Sequence, residues 1–473
     1  MATEYPDRDP ISSPALDALR TFVLEARELE ANPARGFEDF ERELHHRIMA
    51  VEADLVAQQL VRYDVDAPEV TFQGEAYRFK VKWTEEYCGL AGTFSVERSL
   101  YVPRTRGGRA ICPLEIRAGI VEGAWTPLAA RLMARAVAAT TPKEAEELFA
   151  EWGGMKPSTS SLDRLPKAIS EKWEADRQLF EDELRSEDLI PREAVAVGVS
   201  LDGVMVPLKD GDAAKEGGAG DEESPEGSTA YKEASCGTVS LYDADGNRLQ
   251  TIRYGRMPEH KKATLKSELE AEVRSIVEAR PDLDLVFLAD GARDNWTFLE
   301  TLPMRLGRER DAEKEAVDLY HVLERAKKAV DAYHGEGTSD SRAAFEQMRI
   351  WLREEHDGAE RVIRALRYRR DESTGSVRKT IETQIRYFTK RKERMRYKRL
   401  LDQNLPVGSG VVEAACKTLA TERMKRSGMS WREEGGQSIL TLRSLIQSDR
   451  WDRAWRLIVS QYQGLVTVQN EAA

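Results

Sequence analysis

Two apolar segments that each end in Asp-Gly decide the fold: AVAVGVSLDG at residues 194–203 and LDLVFLADG at residues 283–291. Their branched aliphatic side chains predict buried strands, and an aspartate comes directly after each strand. The glycine that follows lets the backbone and a bound molecule approach closely. Asp202 and Asp290 are therefore the first candidates for a functional site.

The residues between these segments predict two more strands and a helix. Residues 235–242 and 248–254 flank Asp245-Gly246-Asn247, which is typical of a hairpin, and residues 261–279 have helical periodicity. A ribonuclease-H-like domain begins with this order of three strands, a helix and a fourth strand. Its first and fourth strands are neighbours, so the two aspartates should face each other. A short strand or helix entry is predicted at residues 316–320.

A third carboxylate would complete a site for divalent cations. Mg²⁺ takes oxygen ligands, and two such ions can activate the attacking oxygen and stabilise the leaving oxygen of a phosphodiester. Glu413 is the best candidate because Gly408-Ser409-Gly410 brings the chain in tightly and Val411 opens a helix; Glu422 is the next. Taken singly, such carboxylates are often turn or helix-cap residues. Two strand-end Asp-Gly pairs in the right strand order favour a site.

Four motifs resemble bacterial insertion-sequence DDE transposases of the ISKra type: SLDG at 200–203, LADGA at 288–292, VGSGVVEAACK at 407–417 and RSGMSW at 426–431. The resemblance covers about residues 190–450, and the N-terminal part loosely. It implies an α/β ribonuclease-H-like catalytic domain with an all-helical insertion. It also implies that Asp202, Asp290 and Glu413 form a catalytic triad that holds two Mg²⁺ or Mn²⁺ ions.

The same family carries a D-x-x-H motif before the catalytic glutamate, and Asp318-Leu319-Tyr320-His321 matches it. The resemblance implies a catalytic role for Asp318 and His321; the alternative is an ordinary core or surface histidine. Relatives often have a cysteine-rich zinc module near the N-terminus. Here only Cys88 and Cys112 lie in that region, with no histidine between residues 47 and 259, so no zinc is expected.

Basic residues are concentrated in one part of an acidic chain. The formal net charge is −12, yet residues 361–399 contain fifteen Lys/Arg against four Asp/Glu. Such segregation is expected of a protein that binds phosphates on one surface, although a solvated basic helix is the alternative. The predicted DNA contacts in this part of the chain are Arg391, Lys392, Arg394 and Arg396. Arg426 of the last motif and the preceding Lys425 are predicted contacts as well.

A helix-turn-helix layout is predicted before the catalytic region. Thr126-Pro127 and Thr141-Pro142 are typical helix starts, and Trp152-Gly153-Gly154 separates the second helix from a third that begins near Ser158. The third helix would enter a major groove of double-stranded DNA. Its candidate reading residues are Ser158, Thr159, Ser161 and Arg164, and an ordinary antiparallel helix pair is the alternative.

The whole chain is expected to have six regions. These are a helical region at 1–65, a small β-rich module at 66–124, the helix-turn-helix-like region at 125–190, the first catalytic part at 191–325, the basic helical insertion at 326–404, and the last catalytic helices with the C-terminal tail at 405–473.

Composition limits the functional class of this 473-residue chain. A hydrophobic content of 41% with 33% charged residues is typical of a soluble globular protein. Without a signal peptide, a membrane span or paired cysteines, a cytoplasmic, nucleoid-associated protein is expected. The predicted function is a transposase that cleaves element ends, joins the 3′ hydroxyl to target DNA, and works as a homodimer or higher oligomer when synapsed. The alternatives are a ribonuclease-H-like nuclease without strand transfer and a domesticated DNA-binding repressor.

Overall fold

The computed structural model describes residues 13–28, 36–105, 107–209, 230–408 and 410–468. The chain divides into a first unit, Met1–Phe180 with Asp452–Ala473, and a second unit, Glu181–Trp451. The strands are β1 (Glu69–Phe72), β2 (Glu75–Gly89), β3 (Gly92–Pro103), β4 (Ala196–Leu208), β5 (Ala230–Tyr242), β6 (Arg248–Arg256), β7 (Asp284–Ala289), β8 (Glu315–Val317) and β9 (Val466–Val468). The helices are α1 (Pro14–Glu28), α2 (Phe37–Val61), α3 (Pro113–Ala118), α4 (Pro127–Ala139), α5 (Pro142–Trp152), α6 (Thr159–Ala175), α7 (Arg177–Glu187), α8 (Ala263–Ala279), α9 (Arg293–Arg305), α10 (Leu319–His334), α11 (Ser339–Glu354), α12 (Gly358–Asp371), α13 (Gly375–Arg391), α14 (Tyr397–Asp402), α15 (Gly410–Ala415), α16 (Glu422–Met424), α17 (Glu433–Gln447) and α18 (Trp451–Ser460).

The first unit contains an antiparallel sheet in the order β3-β2-β1-β9. Its long β2–β3 hairpin closes at the Gly89–Gly92 pair, and α2 packs against β3. The last strand, β9, pairs with β1 from the far end of the chain. Residues Asp452–Ala473 therefore belong to the first unit. Three residues of strand are too short to give a periodic signal in sequence.

Helices α4, α5 and α6 begin where hydroxyl and proline residues predicted them. Thr141 and Glu144 form a reciprocal capping box at the start of α5. Gly153 ends that helix with φ of +85°, a conformation that glycine adopts without strain. Ser158 caps α6 by accepting a hydrogen bond from the N–H of Ser161. Two helices separated by a glycine turn are therefore present here, and their helix-turn-helix role stays a prediction.

The second unit is mixed α/β, with a five-stranded sheet in the order β6-β5-β4-β7-β8. Strands β4, β5 and β6 are antiparallel neighbours, whereas β7 and β8 run parallel to β4. A parallel neighbour needs a crossover connection, and α8 supplies it between β6 and β7. Buried Leu265, Leu269 and Val273 show that α8 packs into the core of this unit. This strand order is compatible with a ribonuclease-H-like fold.

Two predicted boundaries in this unit were wrong. Strand β4 does not end before Asp202 but continues to Leu208, because its antiparallel pairing with β5 extends that far. Helix α8 begins at Ala263 rather than at residue 261, because Lys261 and Lys262 have φ values of +53° and +54°. Neither residue can continue a right-handed helix in that conformation.

The predicted all-helical stretch after the second aspartate is confirmed as helices α10 to α14. Helices α10, α11, α12 and α13 pack against one another. Apolar side chains spaced at helical intervals, such as Leu352, Val362, Leu366, Ile381 and Phe388, are fully buried between them. Across the described ranges, no helix is both long enough and apolar enough to cross a membrane.

Candidate active site

Three aspartates occupy one row across three parallel strands of the second unit. Leu201 of β4 is in register with Ala289 of β7, and Ala289 is in register with Val317 of β8. The next residue on each chain is an aspartate: Asp202, Asp290 and Asp318. The N–H of Asp318 also donates to the Ala289 carbonyl at 3.0 Å, which extends the ladder by one bond. Strand register alone therefore brings these three residues to the same edge.

Asp202 is half-buried at the point where β7 leaves β4. Burial is the largest influence on its carboxyl group and raises the pKa, and the neighbouring Asp290 carboxylate raises this pKa further. The Gly203 N–H, which donates to Asp202 Oδ1 at 2.7 Å, opposes the rise, as do His321 and Lys262. The pKa of Asp202 is thus influenced both by a second carboxylate and by two basic side chains.

Asp290 is held in a fixed orientation by the start of α9. Its Oδ1 accepts hydrogen bonds from the N–H of Ala292 at 3.0 Å and from Nδ2 of Asn295 at 3.2 Å. Its backbone carbonyl accepts from Nε1 of Trp296 at 2.7 Å. Asn295 is 1% exposed, so the amide that holds the carboxylate is itself fixed by packing.

Asp318 is fully buried and caps the next helix. Its Oδ1 accepts from the N–H groups of Tyr320 and His321 at the start of α10. This cap places the His321 ring beside the row: Nδ1 lies 3.9 Å from Asp318 Oδ1 and 3.7 Å from Glu413 Oε1. Within the described part of the chain, His321 Nδ1 is buried without a hydrogen-bond partner.

Glu413 reaches the site from the first turn of α15. The preceding loop is fixed against α10, because the N–H of Leu319 donates to the Val407 carbonyl at 3.2 Å. Gly408 packs against the ring of Tyr320, which leaves little room for a side chain there. Ser409 lies outside the described residues. The expected close approach of this loop is therefore present at Gly408, next to the helix that carries His321.

One group of side chains has the geometry to hold a metal ion. Ligand atoms of Asp318, His321 and Glu413 all lie within 4.8 Å of one another. Two carboxylates and an imidazole nitrogen suit a divalent cation, and the buried Nδ1 without a partner is available as a ligand. This set shares Glu413 with the predicted ligands Asp202, Asp290 and Glu413, and adds the two residues of the D-x-x-H motif.

Lys262 belongs to the site, although its sequence pattern did not indicate it. Its ammonium group lies 2.7 Å from Glu233 Oε1 and 3.2 Å from Asn295 Oδ1, and its charge lowers the pKa of Asp202. The side chain is 17% exposed, and the backbone is left-handed at both Lys261 and Lys262. Such strain on non-glycine residues is typical of functional sites. In sequence, this pair is merely two lysines before a helix.

Neighbouring side chains occupy the space beside the glycines that follow two of the aspartates, so a larger residue at either position would displace a neighbouring side chain. A Cβ on Gly203 would collide with the Glu233 carboxylate, and one on Gly291 would collide with the Arg391 guanidinium. Arg391 Nη2 donates to the Gly291 carbonyl at 2.8 Å, and its guanidinium lies 4.4 Å from the Tyr387 ring centroid. The groups that closely approach these two glycines are therefore the side chains of Glu233 and Arg391. Arg391 lies next to the Asp290 segment.

The other three DNA-contact candidates of the basic run pair with carboxylates other than those of the aspartate row. Arg394 forms ion pairs with Glu300 and Glu315 and stacks at 4.0 Å over Trp296. The remaining two lie near carboxylates on the outside: Lys392 near Glu360 and Glu393, and Arg396 near Glu313 and Glu393. Their predicted phosphate contacts stay predictions, but each already has an acidic neighbour.

The remaining DNA-binding candidates lie on two other elements. Lys425 is exposed at the end of α16, and Arg426 donates from Nε to the Glu422 carbonyl at 3.3 Å. Of the four α6 candidates, Ser158 and Ser161 form the helix cap, and the N–H of Thr159 donates to Glu146 at 3.0 Å. Arg164 is exposed. Base reading by this helix also stays a prediction.

Comparison with known proteins gives little information. No protein-family profile matches the chain, and no curated protein matches it. Among solved structures, the chain is similar to the Drosophila P element transposase strand transfer complex, at 13% identity and a TM-score of 0.24, over 71% of this chain and 82% of that chain. A similarity at this level establishes neither fold nor activity.

Proposed function

We propose that this chain is a DNA transposase of the DDE type, a metal-dependent enzyme that cleaves element ends and joins them to target DNA. The observation that carries the proposal is the row Asp202, Asp290 and Asp318 on adjacent parallel strands, with His321 and Glu413 beside it. So many carboxylates at one sheet edge are unfavourable without cations. They suit a reaction in which divalent ions and a phosphodiester are both bound there.

The carboxylates would hold Mg²⁺ or Mn²⁺, with Asp202, Asp290 and Glu413 as the principal ligands and Asp318 and His321 completing the set. Two such ions would supply activation of the attacking oxygen and stabilisation of the leaving oxygen. Asn295 keeps the Asp290 carboxylate oriented through its 3.2 Å hydrogen bond. Lys262 balances part of the negative charge around Asp202.

His321 has two roles open to it in this reaction. Its Nδ1 lies 3.7 Å from Glu413 and 3.9 Å from Asp318, so the ring is fixed among carboxylates. It can carry a proton between water and an oxygen of the substrate, or it can position the scissile phosphate. Because Asp318 caps α10 at the His321 N–H, it fixes the position of the His321 ring in either role.

Double-stranded DNA, both the element ends and the target, is the proposed partner. Arg391, which lies beside Gly291, would bind a phosphate near the site, and Lys425, which is exposed, would bind a second phosphate. Helix α6 would read the element end through exposed Arg164. Synapsis of two ends would use a homodimer or a higher oligomer, in a nucleoid-associated protein of the cytoplasm.

A strand-transfer assay with the element's own ends tests this function. Asp202→Asn keeps the shape of the side chain but removes the charge that cations need. We expect cleavage and joining to fall at least about a thousandfold, while binding to element ends remains. Asp245→Asn is the matched control, because it makes the same change at an exposed position in the β5–β6 turn, away from the row.

Each outcome of the assay has a distinct meaning. Cleavage by the wild type without joining would identify a nuclease, and end binding without cleavage would identify a repressor. Asp202→Asn with near wild-type cleavage in Mg²⁺ would overturn the proposed chemistry. The assay therefore separates the three functions on one set of substrates.

A further inference from the structure

Strand β2 has an open edge in the middle of its length. Its neighbour β1 pairs only with residues 75–78, and the N–H of Phe79 donates to the Pro68 carbonyl at 2.9 Å. The next contact on that side is at Cys88, whose N–H donates to the Ala124 carbonyl at 2.8 Å. Between these two contacts, β2 is paired only with β3, on its other side.

The main-chain groups that point to this open edge belong to three residues. The hairpin closes at Gly89–Gly92, and Cys88 points away from β3. Because direction alternates along an antiparallel strand, the N–H and C=O groups of Lys82, Thr84 and Glu86 point the same way as those of Cys88. In the parts of the chain that the structure describes, no hydrogen bond to these six groups is found.

The side chains around this edge are also open to solvent. All residues from 78 to 84 are exposed, although they lie within a strand. They include Trp83 at 61%, and Phe79 and Val81 at 40% each. Large apolar side chains along an unpaired edge are a template for another strand.

We propose that this edge pairs with the same edge of a second copy of the chain. The two β2 strands would run antiparallel about a two-fold axis at Thr84. In this register Lys82 of each copy is opposite Glu86 of the other, and Thr84 is opposite its own equivalent. The three pairs would satisfy all six open groups of each copy, forming six hydrogen bonds across the interface.

The charge pattern of β2 is what identifies the partner as the same chain. In the open part of the strand, basic Lys80 and Lys82 precede Thr84, and acidic Glu85 and Glu86 follow it. Glu75 and Arg78 lie in the part that pairs with β1. An antiparallel copy brings each half against its complement, whereas a parallel copy would bring like charges together. Thr84 is also the middle one of the three residues with open groups, so the two-fold axis falls at their centre. This pairing does not depend on the proposed function.

The first test is a proline that blocks the open edge alone. The Thr84 N–H does not bond to β3, so Thr84→Pro removes an outward donor and leaves the hairpin ladder intact. We expect light scattering coupled to size exclusion to find a dimer for the wild type and for the control Thr84→Val, and a monomer for Thr84→Pro. Circular dichroism would verify that Thr84→Pro is folded.

The second test is a charge exchange that does not involve proline. Lys82→Glu and Glu86→Lys should each weaken the dimer roughly tenfold, because each places like charges opposite each other twice. The double variant should recover dimerisation, because the pairs become opposite in sign again. A wild type that stays monomeric at its highest soluble concentration would overturn the proposal. So would a dimer that neither Thr84→Pro nor the single charge variants weaken.

Discussion

Asp202 and Asp290 of the aspartate row and the basic residues 391–396 were both prominent in sequence, but only the two aspartates are brought together by strand pairing. Asp202 and Asp290 lie side by side because their strands are in register. Of the four candidates in the basic run, Arg391 lies next to the Asp290 segment, and Arg394 pairs with Glu300 and Glu315. Strand register determines where a residue lies, whereas a charge count does not determine which partner each charge finds.

Replacement of Lys262 tests whether the aspartate row needs a positively charged side chain beside it. Lys262→Met removes the group that holds Asn295, which in turn holds Asp290. We expect the maximal cleavage rate to fall by about tenfold to a hundredfold, as is usual when a partner of a metal ligand is lost. A Mg²⁺ titration of cleavage would also show a changed half-saturating concentration, which a merely structural residue would not cause.

The matched control for this change is Lys266→Met. Lys266 lies one turn further along α8 and pairs with Asp294 at 2.6 Å, outside the row. It should leave the cleavage rate and the Mg²⁺ dependence close to wild type. Equal effects of the two substitutions would mean that Lys262 only supports the fold.

Arg394 provides the opposite test, of a basic residue that supports the fold. Arg394→Ala leaves the Glu315 carboxylate, which is 1% exposed, with Arg310 as its remaining charged partner, and removes the stacking on Trp296. We expect the free energy of unfolding to fall by about 2 kcal/mol in urea denaturation. Arg396→Ala, which breaks only half-exposed ion pairs, should cost about 0.5 kcal/mol. Similar decreases in the free energy of unfolding for both variants would show that the burial of Arg394 does not make its ion pairs more stabilising than those of Arg396.

The smallest expected effect is on the salt dependence of DNA binding. Each lost phosphate contact flattens the slope of log affinity against log salt by about 0.9. In a triple alanine variant of Arg391, Lys392 and Arg396, we expect a change of about one unit, because acidic neighbours already accompany Lys392 and Arg396. A change of about three units would mean that DNA displaces those neighbours and that the whole run binds phosphate.

Asp202, Asp290 and the order of elements were predictable because they depend on local patterns. Apolar runs of strand length, a hairpin turn and helical periodicity are each visible within a few residues. They predicted β4 to β7 and α8, and they placed Asp202 and Asp290 on neighbouring strands. The position of Asp318 in the same row was not predicted, because β8 has only three residues and its register follows from pairing with β7.

Sequence by itself therefore supplied the candidates for the site: Asp202, Asp290, Glu413 and the Asp318–His321 pair. Tertiary structure decided which charges stand beside them, since Lys262, Asn295 and Arg391 reach the row from separate elements. It also decided which charged side chains form ion pairs away from the row, as Arg394 does with Glu300 and Glu315. The edge of β2 that remains unpaired was likewise decided by the tertiary structure. The reason is physical: covalent order and periodicity act over a few residues, whereas ion pairs and strand edges depend on segments that meet only after folding.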